Sequence, residues 1–387
     1  LEDILADNDN DQFSATTKES LPTTQTSQST LLLHTSEIEA RQDQEITREQ
    51  LSLGKRLLNW RTLVPLALVI VFLCIFAQHA NIDPQKTWAA IRSANLLLFA
   101  AAFVIYYSSF VLRALRWRIL LQNAGYTKAN GIELPRFWKL VEIVYISFFA
   151  NAIVPAKLGD LYRAYLLRQE IGVSTTRSFG TVLAERLLDL VVLLLLFIPA
   201  IIISLHENLP PQLRLSLELL FAAVVIGIVG LFILRQAREP IARLIPLRFR
   251  DQYYHFQEGT LGSFRRLPIL SGFTVGVWLC EALRFFFIAL SLHLISGDLV
   301  HIAAAAIFIG LGEALLSTIP ATGGGVGFVE GGMVAMLALF SQGANAVNLT
   351  AAAILLDRSI TLLSILIIGF IVFLFAFGRK ATLAGKQ

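Results

Sequence analysis

The sequence predicts an all-α polytopic membrane protein of six full spans and two oppositely oriented re-entrant helical hairpins, related as an inverted repeat. Three observations carry this reading. First, the 387 residues are 55% hydrophobic and only 16% charged, with 27 Phe, whereas a soluble domain is about a quarter charged. Second, several apolar runs reach the length of about 18 residues that spans a bilayer. Third, the stretch Ser317–Gly332 breaks an apolar region with Pro320 and the glycines at 323, 324, 325 and 327. These residues cannot form a stable helix interior. In hydrocarbon such a break persists only where it is buried in protein or lines a wet cavity, so a broken-helix site is expected there, with a plain tight turn as the alternative.

Residues 1–50 carry 3 basic and 11 acidic residues, net −8, and are rich in Ser, Thr and Gln. Such a composition predicts a disordered tail. No basic region leads into an apolar run, so no cleaved signal peptide is expected. The remainder has net charge +12. Expected spans are Leu63–Gln78, Asn95–Leu112, Ser178–Ser204, Leu215–Leu234, Leu270–Ile295 and Leu349–Phe377. Phe137–Gln169 and His301–Phe340 are the two broken elements. Lys and Arg concentrate before the first span, between the second span and Lys139, and at the end, with seven arginines in 235–268. By the positive-inside rule these segments and both termini are cytoplasmic. That assignment requires Phe137–Gln169 to return to the cytoplasmic side and His301–Phe340 to return outside; arms of this length that cross completely would give up to ten spans. Division near residue 210 gives halves of about 60–210 and 211–378, each with three crossings and therefore mutually inverted, as in many transporters. The run Val154-Pro155-Ala156-x-x-Gly159 echoes Ile319-Pro320-Ala321-x-x-Gly324, and Glu185-Arg186 echoes Asp357-Arg358. Residues 379–387 form a short cytoplasmic tail.

Ionisable groups at membrane depth are expensive and usually functional. Glu185, Arg186 and Asp189 share a helical neighbourhood, with Arg186 in reach of Asp189 at i+3. They read either as a neutral ion pair joining helices or as an arginine that receives an anionic head group, with Glu185 and Asp189 balancing it when empty. Arg suits phosphate because its planar fork donates in parallel. Arg163, Arg284 and Arg358 are candidates for the same role, with Arg163 alternatively a snorkelling residue. Glu281 stands one turn from Arg284. Glu313 and Glu330 flank the glycine break and are candidate proton carriers. Gly324, Gly325 and Gly327 are expected to form an anion-binding nest of backbone N–H groups. The seven-arginine stretch either sets topology or binds lipid head groups. Cys74 and Cys280 give no disulfide framework. No H-E-x-x-H, P-loop or G-x-S-x-G is present. No cofactor, metal or nucleic-acid partner is therefore expected, and no catalytic domain.

Pro155-x-x-x-Gly159-Asp160-x-x-Arg163, then Glu185-Arg186-x-x-Asp189, then Pro320 with Gly324-Gly325-x-Gly327-x-x-Glu330, and finally Arg358 resemble the lysylphosphatidylglycerol synthase transmembrane-region, or flippase-like, family. The likeness covers about residues 60–378. Gly323 stands where members often carry proline. The family's membrane region looks like a lipid translocator, sometimes fused to an aminoacyl-transfer domain that this sequence lacks. The resemblance therefore implies a flippase or scramblase of an anionic or modified phospholipid or a polyprenyl-phosphate lipid, in a bacterial-type inner membrane. The competing readings are an integral-membrane transferase using a lipid-linked donor and an ion-coupled carrier of a small solute. The partners implied are the lipid, with a second copy or a separate lipid-modifying enzyme as protein partners.

The topology is directly testable. In a background without Cys74 and Cys280, single cysteines in 235–268 are expected to resist an impermeant external thiol reagent, and those in 205–214, 296–301 and 342–348 to react. External labelling at Gln257 is the result that rejects the inverted arrangement.

Overall fold

The computed structural model describes residues 82–154, 157–205, 211–318, 322–340 and 345–372. The expected first span Leu63–Gln78, the tails 1–50 and 379–387, and Pro155 and Pro320 lie outside the described residues. Among the described residues every regular element is helical. The helices are α1 (Pro84–Ser93), α2 (Leu96–Asn123), α3 (Phe137–Ile153), α4 (Leu158–Ile171), α5 (Thr175–Leu205) and α6 (Pro211–Gln236), then α7 (Arg238–Leu244), α8 (Arg250–Gly262), α9 (Leu267–Ser291), α10 (Leu299–Thr318), α11 (Phe328–Leu337) and α12 (Ala346–Arg358), with short 3₁₀ turns between some of them. Five helical stretches are long and apolar enough to cross a membrane: α2, α5, α9, α10 and the 27-residue run Ala346–Val372 that begins with α12. A sixth is the pair formed by Phe221–Gln236 and α7, bent by 87°. The protein is an integral membrane protein of this helical type. α10 is thus long enough to cross by itself, where a hairpin arm is expected from the sequence.

α2 and α9 form the central antiparallel pair, tied at both ends. Asn95 caps α2 by accepting from the N–H groups of Leu97 and Leu98, while its own N–H donates to the Ser291 carbonyl at 3.0 Å. At the other end Asn123 Nδ2 donates to the carbonyls of Ser263 and Arg265. At 28 residues α2 is about 42 Å long, more than the hydrocarbon thickness of about 30 Å. It runs well past the Leu112 expected as its end, because Ala114, Trp117, Leu120 and Leu121 continue a buried face. Arg113 and Arg116, which the sequence reading counts with a loop, are therefore inside this helix, 4% and 0% exposed.

The remaining helices dock on this pair. Tyr126, just past α2, donates its hydroxyl to the Ser174 carbonyl at 3.2 Å, so α5 starts beside the end of α2. α3 and α4 pack on each other between those two points. At the opposite end α10 starts shortly after α9. Phe340, beyond α11, packs its ring on Phe308 and His301 of α10. The Gly323–Gly325 turn packs on α3, where a Cβ on Gly324 would lie 3.4 Å from the Ala152 carbonyl. The contact is with the end of α3, not with Gly159. The basic stretch 235–268, expected as a loop, folds mainly as α7 and α8. Gln257 there is buried and donates to the Leu234 carbonyl, so the exposed Arg248 is the better labelling position.

α8 is held against α5 by backbone proximity. A Cβ at Gly259 would sit 2.1 Å from the Arg177 carbonyl, and one at Gly180 2.5 Å from the Phe256 carbonyl. Gly259→Val should force these helices apart, costing about 1–3 kcal/mol or more, and lower the melting temperature in detergent. Gly272→Ala, where a Cβ meets nothing within 4 Å, should leave it within error. A stable Gly259→Val protein would contradict the packing.

Candidate functional site

Beside the contact of the glycine turn with α3 lies a partly open cavity of about 130 Å³. Its cations are Arg113 from α2, Lys157 from the α3–α4 turn, Arg186 from α5, Arg284 from α9 and Arg358 from α12; Glu281 and Glu313 are its acids. Two ion-pair networks flank it.

The first joins α2, α4 and α5. Arg116 donates through Nη1 to Asp189 at 2.5 Å and to Thr274 of α9 at 2.9 Å, and through Nη2 to Glu185 at 2.8 Å. Arg163 reaches the same Glu185 with both terminal nitrogens, at 3.2 and 3.0 Å, and lies over the Trp117 ring at 4.0 Å. Glu185 is 1% exposed and Arg163 1%. Arg163 is therefore a core residue and not a snorkelling one. Arg186 donates through Nε and Nη2 to the two oxygens of Asp160, at 2.9 and 2.8 Å, with Asp189 farther off at 3.6 Å. This corrects the sequence expectation: Arg186 is balanced chiefly by Asp160, and Glu185 belongs to Arg116 and Arg163. Asn151 ties the turn together, donating to Asp160 and accepting from the Gly159 N–H. Gly159 admits no side chain, because a Cβ would fall 2.1 Å from the Ser147 carbonyl.

The second network joins α9, α10, α11 and α12. Arg284 contacts Glu313 at 2.5 Å, Glu281 at 3.4 Å and Asp357. Arg113 reaches across from α2 to Glu281 at 2.7 Å. Arg358 lies 2.8 Å from Glu330 and 3.7 Å from Glu313. Directly after Arg358 the helix widens into a π turn, Ser359–Leu363, a distortion that recurs at functional sites; Thr361 and Leu362 from it line the cavity. The glycine turn departs from the expected nest. Gly327 donates its N–H to Glu330 Oε2 at 2.6 Å and Gly325 to the Thr322 carbonyl, so these two donors are met within the protein. Gly324 holds φ +62° and lines the cavity.

All the described candidates thus fall in or beside one region. Sequence reasoning gave no site role to Arg113, Arg116, Lys157 or Trp278, and noted Asp357 only as part of the acid–Arg echo. Lys157 is one of the unspecified positions inside Pro155-x-x-x-Gly159 and holds φ +55°, a left-handed conformation that costs a non-glycine residue about 1–2 kcal/mol. Trp278 lines the charged cavity and also a second, apolar cavity of about 490 Å³ bounded by Leu196 and Ile203 of α5, Leu279 of α9 and Val300 and Ile307 of α10. Its buried indole Nε1 has no acceptor among the described residues. Arg265 and Arg266 of the basic stretch line a separate surface cavity of about 570 Å³ with Arg118 and Lys128.

Residues 63–369 match the family described as the lysylphosphatidylglycerol synthase TM region. A UPF0104 membrane protein of Methanocaldococcus jannaschii is 31% identical over 232 residues, 58% of this chain and 93% of that one. Another UPF0104 membrane protein, from Methanothermobacter thermautotrophicus, is 24% identical over 359 residues, 84% of this chain and 95% of that one. Glycosyltransferase AglD of Haloferax volcanii is 28% identical over 158 residues, which are 38% of this chain but only 24% of AglD. Since the family match takes in both ion-pair networks and the residues that line both cavities, the chain belongs to the lysylphosphatidylglycerol synthase transmembrane-region family.

Proposed function

We propose that this protein is a lipid translocator, a flippase or scramblase moving an anionic or modified phospholipid, or a polyprenyl-phosphate-linked lipid, between leaflets. The observation that carries the reading is that Trp278 lines both a cation-lined cavity and an apolar one. A small polar solute has no use for the second cavity, whereas an amphiphile occupies both, with its head group among arginines and its chain against Leu196, Ile203 and Leu279. In this reading the α3–α4 and α10–α11 pairs are re-entrant hairpins entering from opposite faces, and the halves before and after residue 210 form an inverted repeat. The meeting of their turns at Gly324 and Ala152 supports it. Both termini are cytoplasmic, the membrane is a bacterial-type inner membrane, and any chemistry on the lipid is left to a separate enzyme.

The AglD similarity favours one second reading, a membrane component of glycosyl transfer to or from a lipid-linked donor. The two separate in one experiment. Purified protein in liposomes should move fluorescent lipids between leaflets with a dependence on head group, without added sugar donor. Transfer of sugar without lipid movement would replace the translocator by the transferase.

Arg186 gives a residue-level test. Asp160 takes two of its nitrogens in parallel, a geometry that lysine cannot reproduce. Arg186→Lys is expected to fold but to lose most lipid movement. Arg186→Gln with Asp160→Asn removes both charges together, which avoids the cost of about 3–5 kcal/mol of leaving one buried charge unpaired. It should melt near the parent temperature and be inactive. Full transfer by either stable variant would remove Arg186 from the transport machinery.

A further inference from the structure

A second charged place lies outside both ion-pair networks. The surface cavity of about 570 Å³ at the end of α2 shares no lining residue with the cavity between the networks. Its level follows from α2. Arg113 and Arg116 are buried, and Arg118 is the first charge that this helix exposes. From Leu96 to Arg118 the helix rises about 33 Å, against about 30 Å for the hydrocarbon layer. The cavity is therefore at head-group level, open to water and to lipid head groups alike. Asn123 holds its two sides together, since its Nδ2 donates to the carbonyls of Ser263 and Arg265. Arg266 stands at φ +56° and precedes α9 without a side-chain capping bond, and the first turn of α9 carries no acid. The positive end of this 25-residue helix thus adds to the arginines beside it.

The cations that line this cavity are Arg118, Lys128, Arg265 and Arg266, and its acid is Glu133. Lys128 and Glu133 hold each other at 2.8 Å. Arg118, Arg265 and Arg266 are exposed and have no ion pair among the described residues. Arg177, which lies over the Tyr126 ring, is taken by Glu258 at 2.8 Å and so leaves this balance as it is. Topology alone asks for basic residues on one side of the membrane. It does not ask for three that converge on one concave site, where each repels the others. A guanidinium that faces no acid keeps its fork of donors for an anion from outside. We propose that this cavity binds a phosphate group carrying two or more negative charges, a phosphomonoester or a diphosphate, supplied by a lipid head group or by a free phosphate compound. A singly charged phosphodiester would leave two of the three arginines unmatched, whereas a phosphomonoester brings nearly two charges at neutral pH. Bound there, the anion joins the end of α2 to the start of α9 and tightens the central pair. The site stands independently of the translocator reading.

The test uses the full chain in an uncharged detergent at fixed ionic strength. It reads melting temperature against the concentration of inorganic pyrophosphate, of dihexanoyl phosphatidic acid and of dimethyl phosphate, a singly charged phosphodiester. The cavity variants are Arg118→Gln, Arg265→Gln and Arg266→Asn, the last suited to the left-handed backbone. Arg248→Gln is the control, an exposed arginine of the same basic stretch that does not line the cavity. Without ligand all four should melt as the parent does. Pyrophosphate or phosphatidic acid should stabilise the parent. Loss of one charge-assisted contact should raise the concentration needed by about tenfold in each cavity variant, with Arg248→Gln unchanged. This pattern with pyrophosphate supports a free phosphate compound, with phosphatidic acid alone a lipid head group, and with both the shared chemistry. Dimethyl phosphate acting at as low a concentration as the better of the two overturns the charge requirement. Equal weakening by Arg248→Gln overturns the cavity in favour of a diffuse basic surface. Unchanged affinity in the cavity variants overturns the assignment even where phosphatidic acid still stabilises the protein. Stabilisation by neither pyrophosphate nor phosphatidic acid overturns it outright.

Discussion

Arg116 is the residue on which the rest of this arrangement depends. A lone arginine at the centre of a membrane helix costs about 2.5–3.5 kcal/mol on an insertion scale, and this one is fully buried. Its cost is offset only because Glu185 and Asp189 from α5 and Thr274 from α9 converge on it. The requirement runs both ways, since Asp189 without it would keep only Arg186, at 3.6 Å, and Glu185 only Arg163. α2, α5 and α9 are thereby fixed in rotation as well as in position. Apolar packing alone does this poorly in lipid, where the tails are as apolar as the side chains. With Glu185 fixed, Arg163 follows, and with it α4 and the turn that carries Asp160 and Lys157.

The second network repeats the device with different stoichiometry. Arg284 is the buried hub, 1% exposed, and it gathers acids from its own helix, from α10 and from α12. Arg113 links the two networks, because it stands one turn from Arg116 on α2 yet pairs with Glu281 of α9. The cavity between the networks is thus bounded by charges that are mostly committed to one another. Ordered ion pairs of this kind hold a polar space open inside an apolar body.

Much of this was legible in the sequence for physical reasons. Apolar length marked α2, α5, α9 and the helix that begins at Ala346, since a bilayer imposes a length that few soluble helices need. Proline and glycine marked the turn near Gly324, and the charges of Glu185, Arg186, Asp189, Glu281, Arg284, Glu313, Glu330 and Arg358 stood out against hydrocarbon. Partners were less legible. Sequence proximity suggested Arg186 with Asp189 and Glu185, but residues close along one helix cannot reveal a carboxylate such as Asp160 arriving from another. Arg113 and Arg116 were lost to a loop because a charge count treats arginine as a stop, whereas here the buried face of α2 simply continues past them. The basic stretch 235–268 read as a loop for the same reason. Lys157 carried no signal of its own, because its distinction is to have no ion pair among the described residues, a property visible only in three dimensions.

Glu330 divides its two oxygens between different helices. One accepts from the Gly327 N–H and so fastens the first turn of α11; the other meets Arg358 of α12. A single carboxylate therefore acts as a latch with two catches. An anion drawn to Arg358 would therefore free one of these oxygens while the other kept its hold on Gly327. Gly327 sits at φ +86°, a conformation open to glycine and to few other residues. The place of the glycine turn and the place of the α12 arginine are in this way set by one acid.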